Sequence, residues 1–143
     1  MTDPAVLYDR LREETETVLI GNEQILRHIT VAMLTRGHVL LEGVPGVAKT
    51  TIATLIANAT DLQHSRVQMT PDLLPADITG TTVYHQRNGE FELQKGPVFT
   101  NLVIADEINR APPKTQSALL EAMQEGQGSI EGATLELPPP FTV

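Results

Sequence analysis

The stretch that decides the fold is residues 38–59, HVLLEGVPGVAKTTIATLIANA. A short apolar run at residues 38–42 leads directly into a loop with two glycines and a proline, and the loop leads into a segment of helical composition. Strand, loop and helix in this order are the setting in which a glycine-containing loop wraps a phosphate chain. The stretch therefore predicts an α/β fold with a phosphate loop at residues 43–50.

Each residue type in this loop has its own task. Gly43 and Gly46 let the backbone bend, so that successive N–H groups and the following helix N-terminus point at negative charge. Lys49 can reach the β- and γ-phosphates, and the hydroxyl of Thr50 can bind magnesium. Ala48 stands where the general pattern has a second glycine, so an ordinary glycine-rich turn remains the alternative on this segment alone. The predicted nucleotide-binding residues of the loop are Gly43, Val44, Pro45, Gly46, Val47, Ala48, Lys49, Thr50 and Thr51.

A second apolar run, at residues 102–105, ends in Asp106 and Glu107. Such a run is typical of a buried parallel strand, and ligands of open α/β sheets lie outside the carboxyl ends of the strands. Asp106 is the expected magnesium ligand, because a divalent cation on the phosphates needs a hard oxygen partner. Glu107 is the candidate base that orients the attacking water, and Lys49 is the other predicted catalytic residue. Residues 102–107 are thus predicted as a Walker B site, with two solvated acids at a strand end as the alternative.

Two segments together resemble the MoxR family of AAA+ ATPases: LLEGVPGVAKT at residues 40–50 and VIADEINRAPPKTQSALLEAMQEG at residues 103–126. The resemblance implies a P-loop NTPase core, with a mainly parallel sheet flanked by helices, that binds ATP with Mg²⁺ and hydrolyses ATP. Residues 1–143 would then form one partial AAA+ nucleotide-binding domain, in which Ala48 is a familiar variant. Ile20 and Gly21 resemble the segment that contacts adenine, and a helix entry without a ligand is the alternative there.

Two β-hairpins are predicted as additions to this core, after a second strand near residues 66–68. Residues 80–97 alternate in polarity and contain Asn88-Gly89, which predicts a hairpin with a type I′ turn. Residues 126–137 predict the second hairpin, and a further core strand is expected from Phe141. The resemblance implies that the first hairpin is the helix-2 insert, associated with engaging clients or the ring pore, and that the second precedes sensor 1. A plain surface hairpin without a partner is the alternative for the first.

Helical periodicity predicts three further helices around the core. The first begins at Asp3-Pro4, and the third covers residues 114–124. The second ends at Arg36-Gly37, where Gly37 is expected to take the left-handed conformation that closes many helices.

Composition and charge exclude several functions. The formal net charge is −8 with three lysines, which disfavours binding to nucleic-acid phosphates. There is no cysteine, so disulfides, thiolate metal sites and thiol nucleophiles are excluded. The four histidines lack metal-ligand spacing and are expected to be structural. Apolar runs fall far short of the roughly 20 residues that cross a bilayer, and no targeting segment is visible, so we expect no membrane insertion and a cytoplasmic location.

The family resemblance has consequences beyond the nucleotide site. It implies a homo-oligomeric ring, commonly a hexamer, that remodels client proteins in a chaperone-like manner, including clients with von Willebrand factor A domains. It also implies that sensor 1, the arginine finger and the lid lie beyond Val143, so we expect poor hydrolysis by these 143 residues alone. Arg110 is expected either to form an ion pair on its own loop or to face a neighbouring subunit's nucleotide. The alternative functions are a DNA-linked motor of another AAA+ branch and a nucleotide-gated binding module without turnover.

Overall fold

The computed structural model describes residues 3–15, 23–43, 49–60 and 62–143. The helices are α1 (Pro4–Thr15), α2 (Glu23–Leu34), α3 (Lys49–Ala59), α4 (Pro75–Thr79) and α5 (Pro113–Glu125), and a 3₁₀ turn covers Ile108–Arg110. The strands are β1 (His64–Gln68), β2 (Gly80–His85), β3 (Glu90–Lys95), β4 (Leu102–Asp106), β5 (Gln127–Ile130) and β6 (Ala133–Glu136). Within the described ranges, no helix combines the length and apolar character of a membrane span.

The core of the fold is a parallel sheet centred on β4. On one side β1 pairs with β4 in parallel, from His64 opposite Leu102 to Gln68 opposite Asp106. On the other side Thr142 forms a parallel bridge with Leu102, and the N–H of Val39 donates a hydrogen bond to the carbonyl of Val143 (2.9 Å). The order across the sheet is therefore β1, β4, the chain near 142 and the chain near 39, which agrees with the predicted α/β class.

Two of the predicted core strands are wrong in extent. Residues 38–42 and the residues from Phe141 onward do not form regular strands, although both segments lie in the expected order beyond β4. Val39 and Thr142 each make isolated backbone contacts in place of a repeating ladder. Leu40, which the sequence assigned to a strand of the core, is 69% exposed. The apolar run at residues 38–42 correctly predicted a segment beside the sheet, but it did not predict that regular strand pairing is missing. Regular pairing also requires a neighbouring strand along the whole segment.

Apolar side chains cover both faces of the sheet. One buried cluster joins α1, α2 and α3 and consists of Leu11, Leu26, Ile29, Met33, Ile56, Ala57 and Leu102. The other joins β1, α4, α5 and the segments around them and consists of Val67, Met69, Ile78, Val98, Val103, Ala111, Leu119, Ala122 and Leu137. Leu102 and Val103 belong to different clusters because successive strand residues point to opposite faces. The sheet is thus flanked by helices on both sides.

The end of α2 corrects one expectation. The left-handed residue is Arg36, with φ 57°, and not Gly37. The N–H of Gly37 instead donates to the carbonyl of Ala32 at 2.7 Å. In this common helix ending, the hydrogen bond that spans five residues is donated by the residue after the left-handed one. The positive φ therefore lies one residue before the glycine.

The type I′ turn predicted for the first hairpin occurs in the second hairpin instead. In the β2–β3 hairpin the last pair is His85 with Glu90, so the loop has four residues, and only Gly89 has a positive φ. The type I′ prediction at Asn88-Gly89 is therefore wrong. The side chain of Asn88 is engaged locally instead, since its amide donates to the carboxylate of Glu90 at 2.8 Å. Two-residue geometry occurs in the β5–β6 hairpin, where Glu131 (φ 46°) and Gly132 (φ 88°) both have the positive φ that a type I′ turn requires.

Two glycines form the base of the β2–β3 hairpin. Gly80 has φ 107°, and a Cβ atom there would lie 2.2 Å from the carbonyl oxygen of Gln94. A Cβ atom on Gly96 would lie 2.3 Å from the carbonyl oxygen of Ile78 and 2.6 Å from the nitrogen of Gly80. The N–H groups of Gly96 and Val98 donate to Thr79 and Ile78 respectively. The hairpin is thus attached to α4 by backbone contacts that leave no room for a side chain.

We expect Gly96→Ala to lower the free energy of unfolding by about 1–3 kcal/mol, because backbone atoms would have to move to admit the methyl group. The matched control is Gly37→Ala, whose Cβ would make ordinary contacts at 3.6 Å. That substitution is expected to change stability by less than about 1 kcal/mol. Urea denaturation measures both, and equal stability of the two variants would contradict the close packing at the hairpin base.

Candidate nucleotide-binding site

The site begins at the carboxyl ends of β1 and β4. The parallel register places Gln68 opposite Asp106, so both strands end at the same edge of the sheet. The N–H of Met69 donates to the backbone carbonyl of Asp106 at 2.9 Å, which extends the pairing to the last residue of β4. The side chain of Asp106 is 27% exposed. Its carboxylate is therefore fixed at the edge of the sheet and remains accessible from solvent.

The predicted phosphate loop falls partly outside the described residues. Val44 to Ala48 lie outside them, as do Ile20 and Gly21, while α3 begins at Lys49, two residues before the helical segment that the sequence predicts from Thr51. Thr51, on the first turn of α3, is exposed. At Gly43 an added Cβ atom would meet nothing within 4 Å, and φ lies outside the left-handed region. The described atoms would therefore also admit a side chain at position 43. The space beside the Gly43 backbone contains no described atom.

One cavity brings the two halves of the predicted site together. It has a volume of about 870 Å³, and its lining includes Glu42 and Gly43 from the loop side and Asp106, Glu107 and Asn109 from the end of β4. Cavities of about 300–1,000 Å³ are typical of small-molecule sites. The structure thus unites Gly43 with Asp106 and Glu107, which are far apart in the sequence.

Arg66 is a site residue that sequence reasoning missed. Its guanidinium Nη2 lies 2.8 Å from Oδ2 of Asp106 and forms an ion pair with it. On β1, Arg66 is opposite Ile104 and reaches two positions further along to the carboxylate. The sequence marks residues 66–68 only as a strand, and the pairing register that brings Arg66 to Asp106 is not visible in it.

Glu107 has an unusual backbone conformation. It lies in the left-handed region with φ 56° and ψ 51°, directly before the 3₁₀ turn. Its Oε2 forms an ion pair with Nη1 of Arg110 at 2.8 Å, and both side chains are about half exposed. Of the two roles expected for Arg110, the structure contains the ion pair on its own loop. Left-handed conformations of non-glycine residues cost free energy and concentrate at functional sites.

The donor chemistry at this edge suits a magnesium nucleotide. Asp106 offers the hard carboxylate oxygen that Mg²⁺ prefers, in the cavity that Gly43 also lines. Among the described residues there is no group of three or more His, Asp or Glu side chains that could hold a metal by itself. A magnesium ion here would therefore take most of its ligands from phosphates and water, as Mg²⁺ commonly does with nucleotides.

Comparison with known proteins identifies the class. The family model described as "ATPase family associated with various cellular activities (AAA)" matches residues 38–143. Chaperone MoxR1 of Mycobacterium tuberculosis is 51% identical over 130 residues, which cover 91% of this chain and 34% of that protein. The uncharacterized protein YeaC of Bacillus subtilis is 48% identical over 131 residues, which cover 92% of this chain and 41% of YeaC.

A solved structure agrees with these relatives. A Cytophaga hutchinsonii protein, provisionally described as an ATPase, has a TM-score of 0.81 and 45% identity, over 98% of this chain and 43% of that one. The fold is that of an AAA-type ATPase domain, and this chain belongs to the MoxR family within that class. It spans between 34% and 43% of the length of these relatives.

The backbone at Glu107 gives a stability prediction. We expect Glu107→Gly to be more stable than Glu107→Ala by about 1 kcal/mol, because only glycine adopts the left-handed conformation without steric cost. Both substitutions remove the carboxylate, so the lost ion pair with Arg110 cancels in the comparison.

Glu136, an exposed residue of β6, provides the control. There the order should reverse, because glycine in a strand is less stable than alanine. Urea unfolding of the four variants measures both differences. A Glu107→Ala variant at least as stable as Glu107→Gly would show that this residue does not hold a left-handed conformation in solution.

Proposed function

We propose that this chain binds ATP with Mg²⁺ in the cavity between Gly43 and the carboxyl end of β4. The observation that carries the proposal is that Gly43, Asp106 and Glu107 line this one cavity. Membership of the MoxR family supports the choice of nucleotide over other phosphate ligands.

On the phosphate side, the proposal relies on residues that connect Gly43 to α3. In this proposal the backbone of residues 44–48 and the N-terminus of α3 supply N–H groups to the phosphates, because helix N-termini favour negative charge. Lys49 offers its ammonium group to the β- and γ-phosphates, and Thr50 offers its hydroxyl to magnesium. Gly43 and Thr51 complete the phosphate contacts, and Ile20 and Gly21 contact the adenine. The open space beside Gly43 and the start of α3 at Lys49 support this arrangement.

On the sheet side, the two carboxylates have different tasks. Asp106 holds the magnesium ion, which supplies positive charge to the β- and γ-phosphates when it is bound. Glu107 accepts a hydrogen bond from the attacking water and orients it towards the γ-phosphate. Its pair with Arg110 is half exposed, and ion pairs of this kind are weak enough for the carboxylate to turn towards the cavity.

The phosphate-loop assignment predicts that Lys49→Ala weakens binding of a fluorescent ATP analogue by roughly 10- to 100-fold. The reason is that a hydrogen bond to a charged group contributes about 1.5–3 kcal/mol. Lys114→Ala removes the same charge from the start of α5, away from the cavity lining, and should leave affinity within about threefold. Anisotropy in the presence of Mg²⁺ measures all three proteins. Equal affinities for Lys49→Ala and Lys114→Ala would refute the phosphate loop.

The role of Glu107 separates an ATPase from a nucleotide-gated binding module. In the full-length protein, Glu107→Gln should bind ATP normally and release phosphate at least about 100-fold more slowly, since positioned acid–base groups contribute about 10²–10⁴ in rate. Phosphate release measured beside nucleotide affinity tests this expectation. Unchanged phosphate release in Glu107→Gln would remove Glu107 from the mechanism, and binding without turnover in the unmodified protein would favour the module.

At the level of the whole protein, we propose that a homo-oligomeric ring, a hexamer in the simplest case, uses ATP hydrolysis to remodel clients in the cytoplasm. The relative named Chaperone MoxR1 supports a chaperone-like role. Proteins with von Willebrand factor A domains are the client class that we propose first. A DNA-linked motor is the weaker candidate, because the net charge of −8 opposes binding to a polyanion.

The β2–β3 hairpin is the proposed client-binding element, as a helix-2 insert. All six residues of β3 are exposed. Tyr84 and Phe91 are cross-strand partners with ring centroids 4.9 Å apart, and the two residues are 53% and 74% exposed. Leu93, two residues further along β3 and on the same face, is 42% exposed. Aromatic side chains exposed together are typical of surfaces that bind other proteins.

The client proposal predicts that Phe91→Ser in the full-length protein weakens binding of a labelled, permanently unfolded polypeptide by about tenfold while ATP affinity is unchanged, because aromatic anchors often contribute 1–2 kcal/mol or more to protein interfaces. Gln94→Ser is the control, since Gln94 lies on the opposite face of β3 and is also exposed. Fluorescence anisotropy of the labelled polypeptide measures the effect. Equal binding by the two variants would leave the hairpin a plain surface element.

A further inference from the structure

The two carboxylates at the end of β4 are each held by an arginine of this chain, in two different ways. Arg110 lies three residues after Glu107 on the same loop, so this pair is local in the sequence. Arg66 belongs to β1, 40 residues before Asp106, and reaches it across the parallel pairing. Only the second pair involves the carboxylate proposed to hold magnesium.

The geometry of the Arg66 contact places positive charge where a cation would be needed. Nη2 of Arg66 lies 2.8 Å from Oδ2 of Asp106, within the range of a strong charge-assisted hydrogen bond. The same nitrogen lies 3.4 Å from Oε1 of Gln68, which is a weak contact. The guanidinium is thus directed along the edge of the sheet by one strong partner.

Exposure makes this contact easy to replace. The side chain of Arg66 is 52% exposed, so the guanidinium can move into water without a desolvation penalty. Double-mutant cycles on exposed pairs of this kind give coupling of less than about tenfold in an equilibrium constant. A divalent cation that phosphate oxygens also bind would carry twice the charge of the guanidinium and compete with it for the same carboxylate.

We propose that Arg66 is a displaceable counter-charge for Asp106. Arg66 neutralises and orients the carboxylate when no cation is bound, and it leaves Oδ2 when magnesium arrives with the nucleotide. Arg66 therefore lowers the benefit that Mg²⁺ brings to nucleotide binding and sets how much Mg²⁺ the site needs. The inference rests on the proposed function of the cavity and adds a residue to it that the phosphate loop and the Walker B site do not contain.

The test compares nucleotide affinity with and without the cation. The dissociation constant of a fluorescent ATP analogue is measured by anisotropy in excess Mg²⁺ and in EDTA. The magnesium coupling is the dissociation constant in EDTA divided by the dissociation constant in Mg²⁺. In Arg66→Gln we expect this coupling to rise by roughly three- to tenfold, because the guanidinium of Arg66 no longer competes with Mg²⁺ for the Asp106 carboxylate. Arg66→Lys keeps the charge without the planar fork and should return the coupling towards the original value.

Arg110→Gln is the matched control. Arg66 and Arg110 have similar side-chain exposure (52% and 54%) and equal ion-pair distances of 2.8 Å, and either substitution removes one positive charge at this edge. A general charge effect changes the coupling equally in both variants, whereas the proposed exchange changes it only in Arg66→Gln. Equal coupling in the two variants, or an unchanged coupling in Arg66→Gln with an unchanged unfolding midpoint, would overturn the proposal for Arg66.

The failure of the underlying function has a different signature. If the unmodified chain binds no analogue in either Mg²⁺ or EDTA, the nucleotide site itself is refuted, and the role of Arg66 falls with it. If the unmodified chain binds with a clear magnesium coupling and only the Arg66 comparison fails, the nucleotide site stands and Arg66 is a structural partner of the strand end.

Discussion

The parallel pairing of β1 with β4 is the constraint on which the described structure depends. It aligns the ends of the two strands at one edge, with Gln68 opposite Asp106, and β4 in turn contacts the chain at Thr142. Because β4 lies between neighbours and between helical layers, Leu102 and Val103 are buried on opposite faces. The polar residues that follow have no such burial and emerge at the edge. The proposed nucleotide site lies at this edge because β4 is apolar up to the residue before Asp106.

The charges at that edge are balanced within the chain. Asp106 pairs with Arg66 and Glu107 pairs with Arg110, both at 2.8 Å, in a protein whose overall charge is −8. Two adjacent carboxylates without counter-ions would repel each other and also any approaching phosphate. The arginines remove this repulsion, and their exposure keeps the ion pairs weak enough to open. Weak ion pairs of this kind fit the proposed exchange of Arg66 for a cation at Asp106.

The two hairpins are built differently and contact each other. The β2–β3 hairpin is attached at Gly80 and Gly96 by backbone packing and is exposed along the whole of β3. The β5–β6 hairpin turns tightly at Glu131-Gly132, and the carboxylate of Glu131 accepts hydrogen bonds from the hydroxyl of Thr81 (3.2 Å) and the N–H of Thr82 (3.4 Å). A residue held in the left-handed conformation by its own turn thus joins the second hairpin to the first.

Local sequence patterns determined the parts of this protein that depend on neighbouring residues. The apolar run before Asp106 predicted a buried strand, the alternating stretch after Ile78 predicted a hairpin, and residues 38–59 with the motif around Asp106 indicated the family, which the comparisons confirm. Tertiary structure decided whatever depends on partners distant in sequence. The register of β1 on β4 brought Arg66 to Asp106, and sparse backbone contacts left residues 38–42 without a regular ladder. It also decided which of the two hairpins has the two-residue turn with positive φ values. The register of the paired strands sets the loop length, and the loop length selects the turn type.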